Sequence, residues 1–252
     1  MGFRVMLRLA YDGSRYCGWQ RQTDQPTVQQ EVEKAVLNLS GEKASVIASG
    51  RTDSGVHARG QVCHFNLESS TIPPEKFSLA LNRLLPSDIR ILESREVGED
   101  FHARFSALRR EYRYYLSRTG IPDPFGKPHC YARSDIPSVG ILDGYATFLI
   151  GERDFTTFSA AGDPSESKIR YIYAASFFPE KGYTVFRIVG NAFLWKMVRS
   201  LLGTMLELGR NESPPEGMRD LINGRDRSLA GPTAPSKGLF LHKVEYDERY
   251  TR

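Results

Sequence analysis

Cysteine is scarce. The chain has three among 252 residues, Cys17, Cys63 and Cys130. They are odd in number, scattered, and never spaced as CxxC, which argues against a disulfide framework and against a zinc knuckle. Long apolar runs are missing too: none approaches the roughly 20 residues that cross a bilayer. The N-terminus lacks the basic, apolar, small-residue order of a secretory signal. The expectation is a cytoplasmic chain with reduced thiols. There is no Walker A loop, no Rossmann glycine fingerprint and no GxSxG elbow. Neither charge dominates, since 34 Lys and Arg against 30 Asp and Glu leave a formal charge of +4. That balance permits a polyanionic partner without requiring one, so the weight rests on where the arginines sit. The histidines offer no metal-ligand set. His57 lies four after Asp53 and His64 seven after His57, but the glycines nearby disfavour the helix that would make such spacing useful. No metal site is expected.

What is present is a repeated order of elements. Phe3 to Tyr11 alternates, with Val5, Leu7, Leu9 and Tyr11 on one face and Arg4, Met6 and Arg8 on the other, as in a half-buried strand. Thr27 with Gln30 forms a capping box ahead of Val28, Val32, Val36 and Leu39 at helical spacing, and Gly41 stops the helix. Strands are expected from Ser45 to Ser49 and from Gln61 to Leu67. A helix opened by Pro73-Pro74 follows, with Phe77, Ala80, Leu81 and Leu84 as its stripe, and then a strand from Ile89 to Val97. After a connector the order recurs: strand Tyr112–Arg118, helix Val139–Ile150, strands Ile169–Phe178 and Tyr183–Val189, helix Phe193–Leu208 and strand Leu239–Tyr246. A Pro/Gly-rich excursion, 210–238, interrupts the second copy, with a short helix near Met218 to Ile222. Two β-α-β-β-α-β copies predict an α+β chain of two ferredoxin-like, RRM-like halves, 1–104 and 105–252. The halves either join their sheets side by side or face each other across a cleft.

Ser49-Gly50-Arg51-Thr52-Asp53-Ser54-Gly55-Val56-His57-Ala58 lies between two predicted strands. Two glycines bracket one carboxylate, and glycine allows both unusual backbone angles and close approach. The stretch is either a tight polar turn or a site that presents Asp53. In the predicted long helix, Arg199 borders an apolar stripe that includes Trp195, Leu202 and Leu206. It either snorkels to the surface or pairs with a buried acid, and Asp53 is the obvious candidate. An arginine about 4 Å from a carboxylate contributes about 4 kcal/mol at an effective dielectric of about 20. That is close to 3 pH units, enough to keep a buried aspartate ionised and nucleophilic. Arg109-Arg110-Glu111-Tyr112-Arg113-Tyr114-Tyr115 reads either as an edge strand with core tyrosines or as a base-stacking tyrosine among phosphate-binding arginines. Arg21 after Trp19, and Lys168 with Arg170, are further cations that either sit in solvent or touch RNA. His57 orients the loop or contacts substrate.

Gly50-Arg51-Thr52-Asp53-Ser54-Gly55-Val56-His57-Ala58 resembles the catalytic motif of the TruA family of tRNA pseudouridine synthases. Tyr11-Asp12-Gly13 with Gly18-Trp19-Gln20-Arg21-Gln22 is similar to the family's first signature. Phe105-Ser106-Ala107 with Arg110-Glu111-Tyr112-Arg113-Tyr114 is similar to its second. Asp154-Phe155-Thr156-Thr157-Phe158, then Asn191-Ala192-Phe193-Leu194 with Met197-Val198-Arg199 and Gly203, then Ala234-Pro235 with Gly238-Leu239-Phe240-Leu241, continue the match in order. The resemblance implies two ferredoxin-like halves around a central active-site cleft. It implies isomerisation of uridine to pseudouridine in the tRNA anticodon stem-loop, at tRNA positions 38 to 40, without cofactor or metal. Asp53 would be the nucleophile and Arg199 its ion-pair partner. Tyr112 would stack on the target base and help move a proton. Arg51 would hold the flipped nucleotide, Leu239 would wall the pocket, and a homodimer would share each tRNA. Ser54, where alanine is common, and the variable pair Trp195-Lys196 depart from the pattern.

Two rival readings have less behind them. A non-catalytic RNA binder would carry an RNP-type aromatic strand, and none is found. A hydrolase using Asp53 would want a second acid nearby, and the loop offers none.

Overall fold

The computed structural model describes residues 2–119, 124 and 126–250. It divides into two compact units, 1–108 with 240–252, and 109–239. Together they form a mixed α/β protein.

The first unit holds β1 (Phe3–Tyr11), α1 (Val28–Ser40), β2 (Ile47–Ala48), β3 (His57–Leu67), α2 (Phe77–Leu81), β4 (Ile89–Val97) and nearly all of β10 (Leu239–Tyr246). β1 lies antiparallel between β4 and β3. β2 adds to β3 antiparallel, and β10 adds to it in parallel where Phe240 faces His57. α1 forms for the reason its sequence gives. Thr27 accepts from the Gln30 N–H while Gln30 reciprocates, and Gly41 ends the helix at φ +75°.

Both faces of this sheet are covered. Val5, Leu7, Leu9 and Tyr11 are buried as the alternation predicts. Met6, on the face expected to meet solvent, is only 3% exposed. It belongs to a second apolar cluster with Val62, Phe101, Ala103 and Tyr250. The connector around Phe101 and the C-terminal turn cover that face. Tyr246 donates to the Ala103 carbonyl (2.7 Å) and Tyr250 to Asp100 (2.8 Å). Leu84 is a further departure. α2 ends at Leu81, so the helical stripe does not extend to Leu84, which is 44% exposed, and Leu85 turns inward instead.

The second unit holds most of β5 (Ala107–Ser117), then β6 (Tyr131–Ala132), α3 (Val139–Thr147), β7 (Gly151–Asp154), β8 (Ile169–Glu180), β9 (Tyr183–Gly190), α4 (Met197–Arg210) and α5 (Glu216–Gly224). Its sheet runs β5-β9-β8-β7, antiparallel at each step, with β6 parallel to β5. α4 is apolar almost all round because it is buried almost all round. The Pro/Gly-rich excursion covers one side so closely that a Cβ on Gly203 would lie 1.7 Å from the Pro232 carbonyl oxygen. On another side, a Cβ on Gly209 would lie 2.5 Å from Pro137.

His64 marks the covered face of the first sheet. Its Nδ1 accepts the Ala103 N–H (3.2 Å), and its ring meets Phe101 and His102 edge-on. Burial, then the positive charges of Arg4 and His102, lower its pKa to about 4. The unfolded chain therefore takes up this proton first. Stability from neutral His64 is complete above about pH 6.5 and drains away as the pH falls toward 4. The expected loss is on the order of 2 kcal/mol after solvent screening. Urea denaturation at pH 7 and pH 4.5 should show it, and His64→Gln should lose less stability over the same interval. An equal pH dependence in the variant would exclude His64 as the source.

Candidate active site

The Asp53 turn is fastened on both sides. On the entry side, the Ser49 N–H donates to the Val62 carbonyl (2.8 Å) and its hydroxyl to Gln61 Oε1 (2.6 Å). Gln61, fully buried, donates from Nε2 to the Gly50 carbonyl (2.9 Å). On the other side stands the segment after β1. The Trp19 N–H donates to the Thr52 carbonyl (3.1 Å), and the Gly55 N–H donates to the Tyr16 carbonyl (3.2 Å). The Tyr11 and Thr52 hydroxyls are 2.8 Å apart. The turn closes on itself through Val56 N–H to the Asp53 carbonyl (3.1 Å).

Glycine is required where these backbones meet. Gly18 has φ +86°, and a Cβ there would sit 2.4 Å from the Thr52 carbonyl oxygen. A Cβ on Gly13 would sit 2.0 Å from that of Val56. The two chain segments thus pack main chain against main chain, with Gly55 at φ +73° making the turn. Asp53 is half-buried at the first position of this turn, with Ser54 and Gly55 at its corner.

His57 fixes the exit of the turn. It is fully buried, its Nδ1 accepts the Gly13 N–H (3.0 Å), and its ring stacks on Phe240 with centroids 4.6 Å apart. Asp12 Oδ1 lies 3.1 Å from the same nitrogen and also takes the Ser14 N–H and hydroxyl. Arg51 is exposed, and its Nε donates to Gln20 Oε1 (3.2 Å). The Arg21 guanidinium is partly exposed and paired with Glu33. Glu33 is itself structural, taking the Val46 N–H (3.0 Å) and the Gln29 amide (2.9 Å), so it ties α1 to the approach of β2.

In the second unit, Arg199 sits half-buried in the first turn of α4. It clamps Ala234 twice, by Nε to the Ala234 carbonyl (2.8 Å) and by its own carbonyl to the Ala234 N–H (3.0 Å). The next residue, Pro235, accepts from the Tyr114 hydroxyl (2.7 Å). Burial raises the Tyr114 pKa despite the Arg199 charge nearby, so this phenol stays protonated and donating. Tyr112, also on β5, is buried with its ring edge-on to Phe193 at 5.1 Å. Leu239 is buried at the start of β10.

The strand arginines are engaged within the unit. Arg113 pairs with Glu111 (2.8 Å) and Glu180 (3.2 Å), and Arg187 pairs with Glu111 (3.0 Å). Burial pushes the Glu111 carboxyl up, and these arginines outweigh it and hold it below its usual range. Arg110 donates to the Asn191 carbonyl (2.6 Å), and Arg109 lies over the Tyr173 ring.

Lys168 donates to the carboxylate and carbonyl of Asp163, both at 2.9 Å. Arg170 is half-buried against the Ser167 and Ile169 carbonyls. Burial lowers the Arg170 pKa, partly offset by Asp163. Asp163 carries no motif and is missed by sequence reasoning, yet it organises this corner. It takes the Trp195 N–H, the Ser165 N–H (2.8 Å) and Lys168. Burial opposes its charge, but these donors hold its carboxyl well below the usual range. Gln61 is missed in the same way, because a single amide gives no signal in a strand that also carries Arg59, His64 and Asn66.

Asp53, Arg51, His57 and Arg21 thus belong to the first unit, while Tyr112, Arg199, Leu239, Lys168 and Arg170 belong to the second. The chain belongs to the tRNA pseudouridine synthase family, isomerases that act on tRNA, whose sequence signature matches residues 9–106 and 146–247. The tRNA pseudouridine synthase A of Treponema denticola is 43% identical over 249 residues, covering 97% of this chain and 93% of that protein. The synthase of the same name from Moorella thermoacetica is 43% identical over 244 residues, covering 96% of this chain and 99% of the relative. That of Bacillus pumilus is 43% identical over 249 residues, with 97% and 99% covered.

Gly18→Ala tests whether main-chain contact sets the turn. The added Cβ meets a backbone atom and the positive φ is strained besides, so a loss of about 1–3 kcal/mol is expected. Activity should fall further than stability alone requires, because a displacement near 1 Å can cost about 100-fold. Denaturant melts and turnover measured on the folded fraction separate the two effects.

Proposed function

We propose that the protein isomerises uridine to pseudouridine in the anticodon stem-loop of tRNA, at positions 38 to 40, with Asp53 as the nucleophile. The observation that carries this reading is the half-buried Asp53 in a turn fastened on both sides, within the stretch matched to the family. Arg199 is its counter-ion, Tyr112 stacks on the target base and assists a proton transfer, and Leu239 walls the pocket. Arg51, which is exposed, holds the flipped nucleotide, and His57 orients the turn from below. Arg21, Lys168 and Arg170 face RNA phosphates with what remains of their charge. The two halves, 1–104 and 105–252, are ferredoxin-like repeats around a cleft. The β4-β1-β3-β2 order and the antiparallel β5-β9-β8 order support that reading. Compact packing differs from it chiefly in the last strand, which packs with the first unit. The enzyme works in the cytoplasm as a homodimer.

The reaction needs no outside reagent. The bond from uracil N1 to the ribose breaks, the base turns, and C5 bonds to the same sugar carbon. N1 gains a proton and C5 releases one, so atoms balance. Asp53 bonds transiently to the sugar as N1 departs, or to the uracil ring. That bond breaks again as C5 bonds to the sugar or the ring is restored, which regenerates the carboxylate. In either case Asp53 must be ionised and close. Flipping the uridine from its stack costs a few kcal/mol, which aromatic and arginine contacts offset. A dry pocket keeps water from capturing the detached base.

Asp53→Ala should abolish tritium release from tRNA labelled at uridine C5 while tRNA binding persists within about threefold. Substantial release by the variant would sink the nucleophile assignment. Arg199→Met should lower turnover by about 100-fold or more with a far smaller effect on tRNA affinity, as expected for a charge acting on Asp53. If affinity falls while turnover holds, Arg199 is a phosphate contact. Mapping pseudouridines in tRNA incubated with the wild-type protein locates the target.

A further inference from the structure

Phe105 is the most exposed of the large apolar side chains among the described residues, at 77%. Nothing in the catalytic scheme above uses it. A lone exposed phenylalanine needs no explanation when it sits on a loose surface. This one is held out on a built support. Residues 101–106 form a compact knob on the covered face of the first sheet. The His102 N–H donates to the Ser106 hydroxyl (3.0 Å), and the Ser106 N–H returns to the His102 carbonyl (2.8 Å). His102 Nδ1 accepts the N–H groups of both Arg104 and Phe105, each at 3.2 Å. Beneath, the Ala103 N–H is held by His64 and the Ala103 carbonyl by Tyr246.

The ring is oriented as well. Phe105 stacks on His102, centroids 4.4 Å apart and planes 28° apart, and the Arg104 guanidinium carbon lies 5.6 Å from the ring centroid. Burial, with Arg4 adding to it, lowers the His102 pKa. His102 therefore stays neutral near pH 7 and keeps Nδ1 as the acceptor that aims Phe105. An oriented, solvent-facing aromatic ring with an arginine beside it is the arrangement on which proteins stack unpaired bases.

We propose that Phe105 is a positioning residue for RNA: its ring stacks on a nucleobase of the bound tRNA, with Arg104 beside it for the neighbouring phosphate. The inference rests on the reading that tRNA is the substrate. The role is one of binding and register, not of bond making.

The test uses the full-length protein and transcribed tRNA, comparing Phe105→Leu, Phe105→Ala and Phe105→Trp with wild type. Loss of one stacked base should weaken tRNA affinity and raise KM by about 10- to 100-fold in Phe105→Leu and Phe105→Ala, with kcat on saturating tRNA nearly unchanged. Phe105→Trp should restore affinity, and its added indole fluorescence should be quenched when tRNA is bound. Because the ring is exposed, thermal midpoints should not move. Leucine matching wild type in affinity would overturn the proposal, since apolar area alone would then suffice. It is equally overturned if kcat falls while KM holds, or if the variants change subunit association with tRNA affinity intact, which would make the ring a contact between copies. If the wild-type protein makes no pseudouridine, the functional reading fails instead, and the affinity comparison still decides the fate of Phe105.

Discussion

The structure of the first unit turns on main-chain contact between the segment after β1 and the turn that carries Asp53. Gly13 and Gly18 let the two backbones approach to distances that any side chain would forbid. Hydrogen bonds from Trp19 to Thr52 and from Gly55 to Tyr16 then fix their register. A carboxylate on a free loop would sample many positions. Fastened on both sides, the Asp53 turn loses that entropy during folding. The position of the Asp53 turn is thus set by glycines on a neighbouring segment of the chain.

Arg199 is positioned on the same principle by different means. A helix buried on nearly every side leaves an arginine little choice of direction. α4 is enclosed by α3 and by the excursion through Pro232 and Ala234, and Arg199 answers by binding Ala234 at both its carbonyl and its N–H. Tyr114 anchors the adjacent Pro235. The excursion, which looks like a loose insertion in sequence, serves as the wall that orients the arginine. Its prolines and glycines suit that task, since they allow an extended chain to lie flat on a helix.

Much of this was readable beforehand, and the exceptions have specific causes. The capping box at Thr27 and the stop at Gly41 are local chemistry, and α1 obeys them. The Asp53 turn was visible because glycines flanking a carboxylate are a local signal too. Helix α4, by contrast, begins at Met197 and not at Phe193. Asp163 takes the Trp195 N–H, Ala160 takes up the Trp195 carbonyl, and Lys196 enters at φ +60°, so distant groups use the backbone that a longer helix would need. β3 starts at His57, earlier than its apolar run suggests, because Phe240 on β10 pairs beside it. Met6 is buried by residues near Phe101 and Tyr250, nearly one hundred to two hundred and fifty positions along the chain.

The sequence by itself determined most of the element types and the family, because these are written in local spacing or in contiguous motifs; it also singled out Asp53, Tyr112 and Arg199 as candidates. Tertiary structure alone decided that the second face of the first sheet is covered around Met6, where the last strand packs, and which cations are already paired. Arg113 and Lys168 show why: their charges are legible in sequence, but Glu180 and Asp163 meet them only after the chain has folded. The tight turn around Asp53 belongs to both. The glycines that pack against it, Gly13 and Gly18, are in the sequence, and the reason for them, a carbonyl oxygen of the turn 2.0 and 2.4 Å from where a Cβ would stand, exists only in the fold.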